Sequence, residues 1–218
     1  MGINIAVDGP AGAGKSTIAK LVAKEKGYIY VDTGAMYRGL AIHFLDQGIE
    51  PGDTDRIIDA CRSAQVTIQY EEGVQQVYLN GKNITARLRD EEVGNMASKS
   101  SPIPQVRKKL LELQQGLAKE QDVIMDGRDI GTCVLPDADV KVYLTASVET
   151  RAKRRFDELT EKGVDCDLEE IKKDIAERDQ RDMTREIAPL KQAEDAVLID
   201  SSHMTIDEVV AAITALCG

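Results

Sequence analysis

Residues 3–26 read INIAVDGPAGAGKSTIAKLVAKEK, and this stretch decides the fold. Ile3–Val7 is an apolar run of strand length, closed by Gly-rich punctuation. Lys15–Lys26 places Ile18, Leu21 and Val22 on one face at helical spacing. Between them, Gly9-Pro10-Ala11-Gly12-Ala13-Gly14-Lys15-Ser16 matches G-x-x-x-x-G-K-[ST] in the strand–turn–helix context that gives this pattern its chemistry. The glycines let backbone N–H groups turn inward around an anion, and the helix N-terminus adds partial positive charge. Lys15 can place an ammonium on the β- and γ-phosphates of a nucleoside triphosphate, and Ser16 can offer a hydroxyl to Mg²⁺. A bare Gly-rich turn can match the pattern by accident, but the flanking strand, helix, Lys and Ser argue against that here.

Outward from this loop, short β-rich runs alternate with helical patterns. Tyr28–Val31, Val123–Met125, Val140–Leu144 and Ala196–Ile199 read as strands. Ala35–Gln47, Asp55–Ala64, Gln105–Glu120, Ser147–Lys162, Leu168–Asp182 and Thr205–Leu216 read as helices. The alternation predicts an α/β fold with a mostly parallel sheet. Residues 50–120 break the rhythm. Val66–Tyr70 and Val74–Leu79 alternate apolar and polar residues around Glu72-Gly73, a hairpin signal, with a third short strand expected to begin at Ile84. A meander inside an α/β chain reads as an inserted unit.

The chain has 218 residues, is 42% hydrophobic and carries 28 Lys+Arg against 38 Asp+Glu, a formal net charge of −10. That charge argues against a protein that coats nucleic acid or anionic membrane. It leaves an anionic small ligand open, provided basic residues gather in one cleft. No stretch approaches the roughly 18 apolar residues of a membrane span, and no signal peptide or myristoylation pattern is read at the N-terminus. Cys61, Cys133, Cys166 and Cys217 are scattered, which fits reduced thiols better than a disulfide framework or a metal site.

Two further segments follow strands, where ligands of open α/β sheets bind. Asp32-Thr33-Gly34-Ala35-Met36-Tyr37-Arg38 opens a helix, with Arg38 about one turn in; Asp32 or Thr33 also suits a plain helix cap. Asp126-Gly127-Arg128-Asp129 places a carboxylate where a Walker-B Asp holds Mg²⁺ through water, an Arg suited to two-point phosphate contact, and an Asp able to accept from an exocyclic amine. Arg151, Arg154 and Arg155 begin one charged helix. Arg178, Arg181 and Arg185 end another at spacings that place them on one face. Such helices are usually solvated faces, but phosphoryl transfer needs cations that close on the transition state. Gly163 suits a lid-like turn between them. His43 reads as structural and His203 as a loop residue. A GTPase would carry Asn-Lys-x-Asp, which is absent, so a small-molecule kinase fits the loop better.

Together these segments, with Glu177–Asp182 and Arg185-Glu186-Ile187-Ala188-Pro189-Leu190, closely resemble the bacterial cytidylate kinase family of nucleoside monophosphate kinases. The resemblance spans nearly the whole chain. It implies a P-loop three-layer α/β fold on a five-stranded parallel sheet, with a small antiparallel β meander inserted in the acceptor-binding region. It implies one domain made of a core (about 1–32, 121–148 and 186–218), an NMP-binding insert (about 33–120, with the meander at about 64–86) and a short lid (about 149–185). It implies transfer of the ATP γ-phosphoryl group to CMP or dCMP in pyrimidine nucleotide metabolism, with Mg²⁺, in a cytoplasmic monomer that binds neither nucleic-acid polymer nor membrane.

Carried over residue by residue, the resemblance assigns ATP to Gly9, Pro10, Ala11, Gly12, Ala13, Gly14, Lys15, Ser16, Thr17 and Arg155. It assigns CMP to Thr33, Arg38, Ser98, Arg107, Arg128, Asp129, Asp182 and Arg185. Lys15, Arg128, Arg178 and Arg181 would be catalytic, with Mg²⁺ on Ser16 and, through water, Asp126. Ser98, Arg107 and Asp129 would read cytosine, while Asp182 and Arg185 would hold the acceptor sugar. Ser16 stands where the family often has Gly, and Thr33 replaces a common Ser while keeping the hydroxyl. Two rivals stay open: a kinase for another monophosphate or a metabolite hydroxyl, with Asp32 as base, and a nucleotide-binding regulator without turnover.

Overall fold

A computed structural model describes residues 2–217. In chain order its elements are β1 (Asn4–Asp8), α1 (Lys15–Lys26), β2 (Ile29–Asp32), α2 (Thr33–Asp46), α3 (Thr54–Ser63), β3 (Val66–Glu71), β4 (Val74–Leu79), β5 (Lys82–Asn83), α4 (Glu91–Ser100), α5 (Pro104–Glu120), β6 (Val123–Gly127), β7 (Val140–Thr145), α6 (Val148–Glu161), α7 (Leu168–Thr184), β8 (Val197–Asp200) and α8 (Ile206–Leu216). Five strands form a parallel sheet in the order β2-β6-β1-β7-β8, and β3-β4-β5 form a separate antiparallel sheet.

The period-2 alternation of the strands divides the core. Ile5, Val7 and Ile124 point to the side covered by α1 and α8, where they meet Ile18, Val22 and Ile213. Ala6, Val123 and Met125 point to the other side, against Met36 and Leu40 of α2 and Val106 and Leu110 of α5. This second core continues through α3, α4 and the meander, so the insert shares a continuous apolar interior with the sheet. Helices α6 and α7 pack on each other, and only Arg151, Ala152, Asp179 and Asp182 among their residues are buried.

The expected elements form, with informative differences at their ends. Helix α2 starts at Thr33 rather than Ala35 because the Asp32 carboxylate accepts from the Ala35 N–H at 2.9 Å, capping it. The third meander strand is Lys82–Asn83 and ends before Ile84: the Thr85 hydroxyl takes the Val77 N–H at 2.9 Å, replacing the next ladder bond while the chain turns. Helix α4 was not expected. Gly94 and Asn95 lower its propensity, yet Val93, Met96, Ala97 and Ser100 keep helical spacing and are buried. Helix α7 continues to Thr184 and stops there, with Arg185 in extended backbone. Arg178, Arg181 and Arg185 therefore do not share one helical face, which corrects the sequence expectation. Gly163, at φ 71°, turns the chain between α6 and α7. His43 is buried against Gln47, as a structural histidine.

Candidate functional site

The carboxyl ends of β1, β2, β6 and β7 bring the candidate residues together. In the loop after β1, Gly9, Gly12 and Gly14 have φ of 151°, 76° and 88°, conformations that L side chains resist. At Gly9 a Cβ would stand 1.9 Å from the Leu144 carbonyl oxygen, so the loop can lie against β7 only with glycine there. Lys15 is buried, and its ammonium donates to the Pro10 carbonyl at 2.8 Å. Burial, reinforced by Arg128, pushes its pKa down to about 7 against the pull of Asp126 and Asp8.

Asp126, at the end of β6, is held through both oxygens. Ser16 Oγ donates to Oδ2 and Tyr30 Oη to Oδ1, each at 2.8 Å. Burial, then the neighbouring Asp32, pushes this carboxyl up against Lys15 and its two hydroxyl donors. Thr33 Oγ1 donates to the Asp126 carbonyl at 2.7 Å, joining the acceptor turn to the end of β6. Asp8 accepts from the N–H groups of Ile130 and Gly131, both at 2.7 Å, and so fixes the widened helical turn Ile130–Val134. Burial pushes Asp8 up to about 6 despite those two bonds.

Asp129 receives Arg107 on one oxygen and Arg185 on the other, the latter at 3.1 Å. Arg107 also lies 6.0 Å from the Tyr37 ring. Arg128 Nε donates to Asp182 at 2.8 Å. Burial opposes ionisation of Asp182, but Arg128, Arg178 and Arg185 outweigh it and hold the carboxyl below its ordinary range. Ser98, Arg181, Asp182 and Arg185 line a cleft of about 600 Å³ together with Glu50–Gly52 and Pro102. The Ser98 hydroxyl oxygen is buried without a partner.

Two cations stand out. Burial, then Arg128, pushes Arg178 down to about 10, and its Nε is buried without a hydrogen-bond partner. Arg38 is pushed down by burial and, although Asp32 pulls the other way, also by Arg89 and Arg128. Neither makes a hydrogen bond or close ion pair with a described residue. Arg128 pushes both down, as it does Lys15, and an anion placed among Lys15, Arg38 and Arg178 would relieve them.

On α6, Arg155 faces outward and pairs with Glu158 at 2.9 Å. Arg151 and Arg154 are the ones near the loop. Arg151 is buried, donating to the carbonyls of Ala146 (2.9 Å) and Ala11 (3.0 Å) and to Asp179 (2.6 Å). Arg154 NH1 lies 4.0 Å from where a Cβ on Gly14 would stand, and the side chain donates to the Ser201 carbonyl at 2.8 Å. Sequence reasoning noticed both but assigned neither. Their place in the first two turns after β7, the strand beside β1, was the available signal. Tyr30 was missed entirely, since a tyrosine inside an apolar strand reads as core.

The donors of Ser16 and Asp126 are hard oxygen ligands suited to Mg²⁺, and no described group of three or more His, Cys, Asp or Glu residues forms a metal cage. Two protein oxygens fit an ion whose remaining ligands come from phosphate or water. Among the described residues no helix is long and apolar enough to cross a membrane.

Known proteins resemble the chain at two levels, in fold and in sequence. In solved structures the chain is similar to shikimate kinase from Bacteroides thetaiotaomicron, with a TM-score of 0.51 at 12% identity over 99% of this chain and 98% of that one. It is similar to a gluconokinase from Sinorhizobium meliloti, with a TM-score of 0.50 at 14% identity over 99% and 91%. Those likenesses carry the P-loop kinase fold alone. The cytidylate kinase of Caldicellulosiruptor bescii is 53% identical over 95% of this chain and 92% of that protein. The cytidylate kinase of Lactobacillus johnsonii is 49% identical over 98% and 93%. A family model described as cytidylate kinase matches residues 5–217, from the first buried residue of β1 to the residue that caps α8, and on that match the chain belongs to the cytidylate kinase family.

Proposed function

We propose that the chain transfers the γ-phosphoryl group of ATP to CMP or dCMP, giving ADP and CDP or dCDP, as a cytoplasmic monomer of pyrimidine nucleotide metabolism. The observation that carries this reading is the group Lys15, Arg38 and Arg178, each pushed down by burial and by Arg128, together with an Asp129 gripped by two arginines. The first group suits two sets of phosphates, and the second suits the edge of a base.

The loop amides and Lys15 hold the triphosphate, and Lys15 exchanges its bond to the Pro10 carbonyl for phosphate oxygens. Ser16 and Asp126 would hold Mg²⁺, which when bound neutralises phosphate charge. Thr33 and Arg38 bind the acceptor phosphate, Asp182 and Arg185 its sugar, and Ser98, Arg107 and Asp129 the cytosine edge. Arg128, Arg178 and Arg181 neutralise charge on the transferring group. The lid, about 149–185, closes over the core and brings Arg155 toward ATP, while the insert, about 33–120, closes with CMP and excludes water. A phosphate monoester is already anionic, so no general base is needed. Asp32 in any case caps α2 at 2.9 Å and lies 3.8 Å from Arg89.

Coupled ADP release with ATP and Mg²⁺ across CMP, dCMP, UMP, AMP and shikimate-like alcohols tests the reading. Turnover is expected with CMP and dCMP. Turnover with an alcohol instead, or none with any acceptor, overturns it.

A further inference from the structure

Strand β2 is an edge of the parallel sheet, paired on one side only, with β6. Alternate residues of such a strand turn their N–H and C=O groups outward, and an uncovered edge leaves them unpaired. Here the meander covers them with side chains rather than with a strand. Gln75 of β4 accepts from the Asp32 N–H at 2.9 Å and donates to the Asp32 carbonyl at 3.1 Å. Tyr70 of β3, its cross-strand partner, donates its hydroxyl to the Tyr30 carbonyl at 3.2 Å. The same meander lies on α2, where Val77 Cγ1 is 3.2 Å from the place a Cβ on Gly39 would occupy.

Asp32 is the hinge between these contacts and the acceptor residues. Its carboxylate caps α2, Thr33 follows it and bonds the end of β6, and Arg38 stands one turn further along. The amide of Gln75 grips both peptide groups of Asp32, the point from which that turn is aimed.

We propose that Gln75 is a positioning residue: acting through Asp32, it makes the meander set where Thr33 and Arg38 meet the acceptor phosphate. The kinetic half of this inference rests on the acceptor reading above. Gln75→Leu keeps the side chain's size and removes both bonds. Gln76→Leu is the control, because Gln76 is on the same strand and bonds Asn83 within the meander. In Gln75→Leu the KM for CMP rises about ten-fold, equivalent to about 1.4 kcal/mol. The KM for ATP and kcat stay within about two-fold, the signature of lost uniform binding of one substrate. In Gln76→Leu neither KM moves.

Amide exchange followed by NMR supplies a readout independent of the acceptor: the Asp32 N–H exchanges faster in Gln75→Leu and at the wild-type rate in Gln76→Leu. An unchanged CMP KM, a parallel rise in both KM values, or the same rise in Gln76→Leu overturns the positioning role, and unchanged Asp32 exchange overturns the strap itself. Failure of the functional reading shows separately, as absence of CMP turnover by the wild type.

Discussion

Replacing Asp129 by Asn isolates the reading of the base. The carboxylate offers two oxygens and about four lone-pair positions. Arg107 takes one position on Oδ2 and Arg185 one on Oδ1, so each oxygen keeps acceptor capacity for the exocyclic amine of cytosine. Uracil brings a carbonyl oxygen to the same place and leaves the carboxylate facing another acceptor. Asn keeps the shape but removes the charge and turns one oxygen into a donor directed at a guanidinium. The Asp129, Arg107 and Arg185 side chains are only 8%, 12% and 5% exposed, so water cannot replace a lost partner. An unsatisfied buried polar group costs about 1–3 kcal/mol. The CMP-over-UMP ratio of kcat/KM should then fall by about 5–150-fold. Stability should fall as well. Two buried guanidiniums lose their anion, at a cost of about 3–5 kcal/mol, and at about 2–4 °C per kcal/mol the Tm drops by about 6–20 °C. Initial rates of ADP release with CMP and with UMP, taken well below the variant's own Tm, measure the ratio. A folded variant with an unchanged CMP/UMP ratio refutes the assignment of Asp129 to the base.

Three other perturbations test the loop and the helices behind it. With its pKa pushed down to about 7, Lys15 is mostly neutral at pH 8 in the empty loop, and triphosphate restores its charge, so ATP binding at pH 8 should take up close to one proton. Titration calorimetry in buffers of different ionisation enthalpy measures this uptake, which should vanish in Lys15→Met; a wild type with no uptake contradicts the mechanism. Arg151→Met leaves Asp179 buried without its cation and frees the Ala11 carbonyl, and should cost about 3–5 kcal/mol in urea unfolding. Gly9→Ala drives a methyl into the Leu144 carbonyl at a positive φ and should destabilise by more than about 3 kcal/mol, or prevent folding, by the same measurement; a neutral result refutes the close approach.

The fold was legible because its signals are local. The strand before Gly9, the helix from Lys15 and the hairpin around Glu72-Gly73 each follow from a dozen neighbouring residues. The helix missed, α4, is the one whose Gly94 and Asn95 blur the local pattern, and it is held by Val93 and Met96 in the insert's core. The candidate site was legible as a set of residue types but not as a set of pairings. Asp129 lies 22 residues from Arg107 and 56 from Arg185, and Asp32 lies 43 from Gln75. No periodicity spans such separations. Arg155, which the resemblance assigns to ATP, is paired in this structure with its own helix neighbour, Glu158, a contact no motif announces.

The net charge of −10 is where sequence and structure meet least directly. Excess acid on the surface keeps the chain soluble, but it does nothing for a buried arginine. Arg128, Arg151 and Arg185 each have an aspartate within the fold, at 2.8, 2.6 and 3.1 Å. Arg38 and Arg178 are half-buried and form no ion pair with a described carboxylate, so the more distant Asp32 and Asp182 offset their desolvation only in part. Buried charge is tolerated when a partner repays its desolvation, and an anionic ligand would complete that repayment for these two. Two such arginines suit an enzyme whose two substrates both carry phosphate.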